Sequence, residues 1–193
     1  MTETYNFIMA GVGGQGILRA TDILTNVAMA HGLDAKKTEI HGTAQRGGMV
    51  YSHVRFGERV YSPIVKPGTA DSLVICEALE ALRWAEYLKP GGHLIFSPVK
   101  VVPPMVTLGW FSYPKDIIGR LRALDIDVTM VDTNPMIQAL GNPRLSNTIL
   151  MGVLSRLLDF SIETWRREIR RAVPKGTERA NLKAFVMGRQ YSG

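Results

Sequence analysis

Apolar and polar positions along the chain follow a changing period, and the changes mark out its elements. Phe7-Ile8-Met9-Ala10 is a continuous apolar run ending in glycines, the pattern of a buried strand. Ile17, Ala20, Leu24, Val27 and Ala28 then recur at helical spacing, which predicts a helix over 17–30 with Gly32 as its stop. Between 49 and 56 the period becomes two. Val50, Ser52, Val54 and Phe56 point one way, and Tyr51, His53 and Arg55 the other. Gly57-Glu58 follows, and Arg59-Val60-Tyr61-Ser62 continues extended. A two-residue loop with glycine first suits a type II′ turn, so an antiparallel hairpin is expected here.

Downstream, strands predicted at 72–76, 93–97 and 126–131 alternate with helices. One helix runs through Leu79, Leu82 and Trp84 and is broken by Lys89-Pro90-Gly91-Gly92. A second is opened by Pro114 and carries Ile117, Ile118, Leu121 and Leu124. Four more are expected near 134–140, 145–159, 162–172 and 178–188, with Gly141 and Gly176 at helix-ending positions. This alternation defines the α/β class: a three-layer Rossmann-like sheet, mainly parallel, with the hairpin as its antiparallel part. No repeat, low-complexity tract or long linker interrupts the sequence, so residues 1–193 are expected to form a single domain.

Composition narrows the functional classes. Hydrophobic residues make up 46% and charged residues 21%, ordinary for a globular chain that buries its own core. No apolar run approaches the roughly 18 residues that span a bilayer. The start, Met1-Thr2-Glu3-Thr4-Tyr5-Asn6, lacks the basic and apolar stretches of a secretory signal. A cytoplasmic protein without a membrane partner is the expectation. Eight basic residues stand against three acids from Ser161 onward, so +5 of the net +6 lies in the last sixth of the chain. A solvated helix face accounts for that excess, and an acidic partner is the functional alternative. No aromatic residues interleave with these arginines as a stacking platform for nucleic acid would need, so a nucleic-acid partner is not expected. Cys76, the only cysteine, sits within an apolar run as a small hydrophobe; one thiol cannot hold an iron–sulfur cluster, which needs about four.

Two segments carry candidate chemistry. Gly11-Val12-Gly13-Gly14-Gln15-Gly16 joins the first strand to the first helix. Glycine there permits a tight turn, backbone approach to a phosphate and close helix–strand packing, and the helix terminus favours an anion. Gly11, Gly13, Gly14 and Gly16 are therefore candidate nucleotide-binding positions, with Gln15 as an amide donor to a phosphate or to a neighbouring chain. A turn that serves packing alone is the competing account. An acid about 20 residues on would mark a ribose site. Asp34-Ala35-Lys36-Lys37-Thr38-Glu39 puts two lysines there instead, which weakens NAD and reads as exposed lysines on an edge segment. The second segment is Glu39-Ile40-His41-Gly42-Thr43-Ala44-Gln45-Arg46-Gly47-Gly48. His41, Gln45 and Arg46 offer an imidazole, an amide and a guanidinium, a set suited to a carboxylate or phosphate.

Taken together these segments resemble the gamma-type domain of the 2-oxoacid:ferredoxin oxidoreductases. The glycine turn, the EIHGTAQRGG loop, Ser52-His53-Val54-Arg55, Ala70-Asp71 leading to Glu77-Ala78-Leu79-Glu80-Ala81-Leu82-Arg83, and Asn181-Leu182-Lys183-Ala184-Phe185 carry the likeness in order along nearly the whole chain. EIHGTAQRGG followed by Ser62-Pro63 is closer to the indolepyruvate branch than to the pyruvate branch. The resemblance implies oxidative decarboxylation of a 2-oxoacid to an acyl-coenzyme A. It places thiamine diphosphate, Mg and iron–sulfur clusters on a large partner subunit, through which ferredoxin is reached. Coenzyme A is expected at the subunit junction, near the 11–16 turn and His41, Gln45 and Arg46. The sequence agrees with that division: it holds one cysteine and no Gly-Asp-Gly with a later paired asparagine, the thiamine signature of such enzymes.

Other readings compete. A non-catalytic NADP- or nucleotide-binding regulatory module shares the turn but needs no large partner. Leu88-Lys89-Pro90-Gly91-Gly92-His93-Leu94-Ile95-Phe96 suggests a small-molecule methyltransferase, without the acid expected after its second strand. A purely structural adaptor demands the same interface as the coenzyme A role. Asn147 and Gly152 open and interrupt a helix that reads as buried, so Asn147 needs partners and Gly152 suits close helix packing.

Overall fold

The computed structural model describes residues 4–41, 48–102, 104–110 and 112–192, with the side chains of 41, 104 and 105 left out. Its centre is β1 (Tyr5–Val12). Phe7 and Met9 face one side and Ile8 and Ala10 the other, and all four are buried, so both faces of this strand are covered. The sheet has six strands in the order β2-β3-β1-β4-β5-β6, with β2 Asp34–His41, β3 Met49–Gly57, β4 Ala70–Ile75, β5 Leu88–Phe96 and β6 Asp127–Met130. β1, β4, β5 and β6 run parallel; β3 runs antiparallel to both β1 and β2.

On one face α1 (Ile17–Ala30) lays Ile17, Ala20, Leu24, Val27 and Ala28 against Phe7, Met9, Val54 and Phe56. The helices α6 (Ser146–Leu154), α7 (Ile162–Ala172) and α8 (Glu178–Arg189) complete that layer. On the other face α2 (Ala78–Trp84) and α4 (Ile117–Arg122) cover Ile8, Ala10, Leu73, Ile75, Leu94 and Phe96. The four-residue α3 (Pro104–Thr107) and α5 (Asn134–Leu140), which ends at Gly141 in the left-handed region, lie in the connections. The three-layer α/β arrangement expected from the sequence is thus present.

The hairpin exists, but with a different partner. β3 pairs along its length with β1, from Tyr5↔Phe56 to Val12↔Met49, and on its other edge with β2, from Asp34↔Gly57 to His41↔Val50. Both edges of β3 are used, so Arg59–Ser62 cannot pair back across Gly57-Glu58. The chain leaves the sheet instead, and side chains tie it down. Asp34 Oδ2 accepts from Val60 N at 2.8 Å, and Arg55 donates to Ser62 O at 2.9 Å. The hairpin strands are β2 and β3, and the polar loop is their connection. β2 is an edge strand whose Lys36 pairs with Asp34 and whose Lys37 pairs with Asp22 and Glu39; such charges blunt an open edge.

Boundaries differ elsewhere for local reasons. α4 begins at Ile117, not Pro114, because Asp116 sits in the left-handed region at φ 52° and caps Gly119 N. α6 ends at Leu154, short of 159. β5 starts at Leu88, pairing with Ala70 ahead of an irregular Pro90-Gly91-Gly92 stretch. Gly176 lies in the turn after Pro174, while α7 itself ends at Ala172.

His53 gives the sheet a pH dependence. Its Nδ1 accepts from Val65 N at 3.1 Å, while Nε2 is buried among Tyr51, Trp84 and Tyr87 with no partner among the described residues. Burial pulls its pKa below the ordinary 6.5, so the folded chain holds it neutral. Unfolded chains take up the proton first as pH falls, so stability is complete above 6.5 and declines below it. Glu80, which accepts from Trp84 Nε1 at 3.2 Å, acts in the opposite sense. Its pKa is raised above 4.5, chiefly by burial, so its contribution declines as pH rises through the raised value. Comparing wild type with His53→Gln isolates the histidine. Between about pH 7.5 and about pH 5.5, urea unfolding is expected to show the wild type losing stability relative to the variant.

Candidate functional site

The glycine turn leaves β1 at the carboxyl end of the parallel strands. From there the chain passes through α1 to β2 on one side, whereas β4 lies on the other. This is a switch point, where open α/β sheets bind ligands. Gly14 and Gly16 have φ of 96° and 73°, conformations that other residues rarely adopt. Gly13, Gly14 and Gly16 are exposed, and among the described residues no side chain caps the first turn of α1. Its amide end is therefore available to an anion.

The turn is held open from within. Gln15 Oε1 accepts from Val12 N at 2.7 Å, and Gln15 Nε2 donates to Cys76 O at 3.0 Å. Both ends of this amide are engaged inside the chain, so Gln15 braces the turn against the end of β4. Gly11 is needed for that brace: a Cβ there would lie 2.3 Å from Gln15 Oε1. Asn147, at the start of α6, donates from Nδ2 to Gly16 O at 2.9 Å, and its Oδ1 accepts from Thr148 N and Thr148 Oγ1. Two helix starts thus meet behind the turn.

The chain that follows the polar loop comes to the same place. Gly13 N donates to Gly48 O at 2.9 Å, and the Val12↔Met49 register sets the loop's return beside the turn. The His41 backbone closes β2 opposite Val50; Gln45 and Arg46 lie outside the described residues. A ribose acid in a dinucleotide fold stands at the end of the strand next to β1. Here β3 separates β2 from β1, and Asp34 is spent at the opposite end of β2 on Val60 N. That arrangement argues against an NAD-type ribose site.

Sequence reasoning missed Glu77. It follows β4, is 1% exposed, and N-caps α2 by accepting from Glu80 N at 2.9 Å. Its other oxygen accepts from Val101 N at 3.0 Å and Tyr113 OH at 2.9 Å, clamping both ends of the 98–113 segment. Burial, with this carboxylate beside it, pushes the Tyr113 phenol above the ordinary range. The signals in sequence were an acid directly after a buried strand and its place in a stretch that carries the family resemblance. Cys76 is buried as expected, and burial pushes its thiol up to about 12, which leaves it unreactive. Among the described residues no cluster of His, Cys, Asp or Glu could hold a metal ion, and no helix is long and apolar enough to cross a membrane.

The fold is shared with solved oxidoreductase structures. The chain superposes with a TM-score of 0.74 on the pyruvate oxidoreductase subunit PORC of Thermotoga maritima, at 18% identity, covering 98% of this chain and 97% of that one. It matches 2-oxoglutarate:ferredoxin oxidoreductase from Magnetococcus marinus with the same TM-score at 19% identity, covering 98% of this chain but 31% of that one. Residues 6–191 match the family described as pyruvate ferredoxin/flavodoxin oxidoreductase, and the chain belongs to that family. It is therefore a component of a 2-oxoacid oxidoreductase. Among curated proteins it is 37% identical to the indolepyruvate oxidoreductase subunit IorB of Archaeoglobus fulgidus, over 95% of this chain and 92% of that protein.

Proposed function

We propose that this chain is the small subunit of an indolepyruvate-type 2-oxoacid:ferredoxin oxidoreductase and that it seats a phosphate group of coenzyme A at the junction with a large subunit. The observation that carries the coenzyme A role is the exposed glycine turn at the switch point, braced by Gln15 and bonded through Gly13 N to the end of the polar loop. Exposed amides at the start of α1 suit a phosphate oxygen. His41, Gln45 and Arg46, which sequence alone nominates, would add an imidazole, an amide and a guanidinium beside it.

The thiamine and redox groups do not fit this chain. Its single thiol is buried and protonated, so iron–sulfur ligation falls to the partner. Thiamine diphosphate and Mg go with the same large subunit, and ferredoxin is reached through it. The Magnetococcus marinus chain supports a two-part assembly. This fold occupies about a third of it, so there the gamma-type unit is part of a longer polypeptide. What this chain contributes is binding and orientation, with a cytoplasmic location as the corollary of that chemistry.

The test uses the complete complex. Gly14→Asp adds a carboxylate to the amide end of α1, whereas Gly14→Ala imposes the same backbone strain without charge. The aspartate variant is expected to raise KM for coenzyme A about tenfold over the alanine variant, leaving KM for the oxoacid unchanged. Arg46→Ala is expected to raise it as well. An intact complex with unaltered coenzyme A kinetics in Gly14→Asp and Arg46→Ala overturns the proposal.

A further inference from the structure

A second cleft, of about 450 Å³, opens at the carboxyl end of β5, on the face of the sheet opposite α1. Its floor is apolar: Phe96, Pro98, Pro114, Ile117 and Ile118. Its size lies within the usual range for small-molecule sites, roughly 300–1,000 Å³, as does the pattern of an apolar lining with few polar groups.

The polar groups at its mouth select the ligand. Lys100 and Lys115 are exposed, and neither has a carboxylate partner among the described residues. Lys100 Nζ lies 5.7 Å from the centre of the Tyr113 ring, which holds the ammonium at the rim. Tyr113 presents its ring rather than its hydroxyl, because the hydroxyl donates to Glu77. Among the described residues Asp116 is the only acid lining the cleft, and its carboxylate is committed to Gly119 N. Asp116 also keeps a left-handed backbone at φ 52°, the one non-glycine residue described with positive φ. Such conformations persist where the surroundings hold them, often at ligand sites. The mouth thus offers two cations without a carboxylate partner among the described residues, above an apolar floor.

We infer that this cleft binds a small organic anion: a ring-sized apolar body seated on Phe96, Ile117 and Ile118, with a carboxylate or phosphate at one end held by Lys100 and Lys115. The site is independent of the glycine turn, which lies on the other helical layer and two strands away, about 10 Å along the sheet. It can therefore stand or fall apart from the coenzyme A reading.

Titrating the full chain with phenylacetate, phenyl phosphate and the neutral phenylacetamide tests the inference, read by calorimetry or ligand-observed NMR. At least one anion is expected to bind saturably, with the amide about tenfold weaker. Phenylacetate alone would assign a carboxylate ligand, and phenyl phosphate alone a phosphorylated one. The double variant Lys100→Gln, Lys115→Gln is expected to weaken the anion about tenfold. Ile118→Trp, which fills the cleft from a half-buried position, is expected to abolish binding at an unchanged Tm. Absence of saturable binding by either anion, equal affinity for the amide, or undiminished binding in the lysine or tryptophan variants overturns it.

Discussion

Gly188→Ala is expected to destabilise the chain by about 3 kcal/mol, lowering Tm by roughly 6–12 °C for a chain of this size. α6 and α8 cross with their backbones in contact. A Cβ on Gly188 would lie 2.0 Å from Ile149 O and 2.8 Å from Ile149 C. A Cβ on Gly152 would lie 2.3 Å from Phe185 O and 3.0 Å from Arg189 N. These neighbours are main-chain atoms of helices, so no rotamer change relieves the clash and the helices must part. Every residue of α6 after Ser146 is buried, and parting exposes that surface. The movement also carries Asn147 away from Gly16 O, so a packing fault reaches the glycine turn. Lys183→Ala, on the exposed side of α8, is the control and is expected to shift stability by less than about 0.5 kcal/mol. Thermal and urea unfolding of the three proteins measure the difference. A Gly188→Ala protein that matches the control would mean that the two helices do not touch in this way.

Glu77→Ala should cost a similar amount, about 3 kcal/mol, by a different mechanism. The carboxylate accepts from Glu80 N, Val101 N and Tyr113 OH, and removing it strands the three donors at once. Loss of a buried charge offsets part of this, which keeps the estimate well below the sum of three charge-assisted bonds. The effect divides by element. α2 loses its cap, and Val101 and Tyr113 lose their bonds to the residue that follows β4. Hydrogen exchange is expected to show lost protection at the Val101 amide, with the β1 amides unchanged. Tyr113→Phe removes one donor only and is expected to cost about 1 kcal/mol. Equal protection of Val101 in wild type and Glu77→Ala would end the clamp interpretation.

Much of this architecture could be read in advance where the signal is local. Phe7–Ala10 is apolar at every position because β1 is covered on both faces, and no neighbour was needed to see it. α7 begins and ends where its periodicity says, since Ser161 caps Thr164 N and Pro174 follows. Cys76 was legible as core. β2 was not legible as a strand, because Asp34-Ala35-Lys36-Lys37-Thr38-Glu39 has no apolar alternation, and an edge strand takes its conformation from the strand it pairs with. The hairpin was assigned to the wrong partner for a related reason. Gly57-Glu58 satisfies the local rule for a turn, but β1 offers β3 eight paired positions, more than the four of Arg59–Ser62 could supply.

The chemistry follows the same division. Glycine at 11, 14 and 16 announces the turn, because the left-handed backbone at Gly14 and Gly16 and the close approach of Gln15 to Gly11 tolerate little else. The direction of the Gln15 amide could not be read, since its acceptor, Cys76 O, arrives from 61 residues away. Glu77 was hidden likewise: its partners come from 24 and 36 residues downstream. Sequence alone determined most of the elements, the strand-to-helix glycine turn and the kinship with 2-oxoacid oxidoreductases, because these rest on short-range pattern and on motif order. Only tertiary structure decided which strands lie side by side, which polar groups are spent inside the chain and where a cleft remains. Those outcomes depend on long-range approaches whose entropy is repaid only when the whole sheet closes.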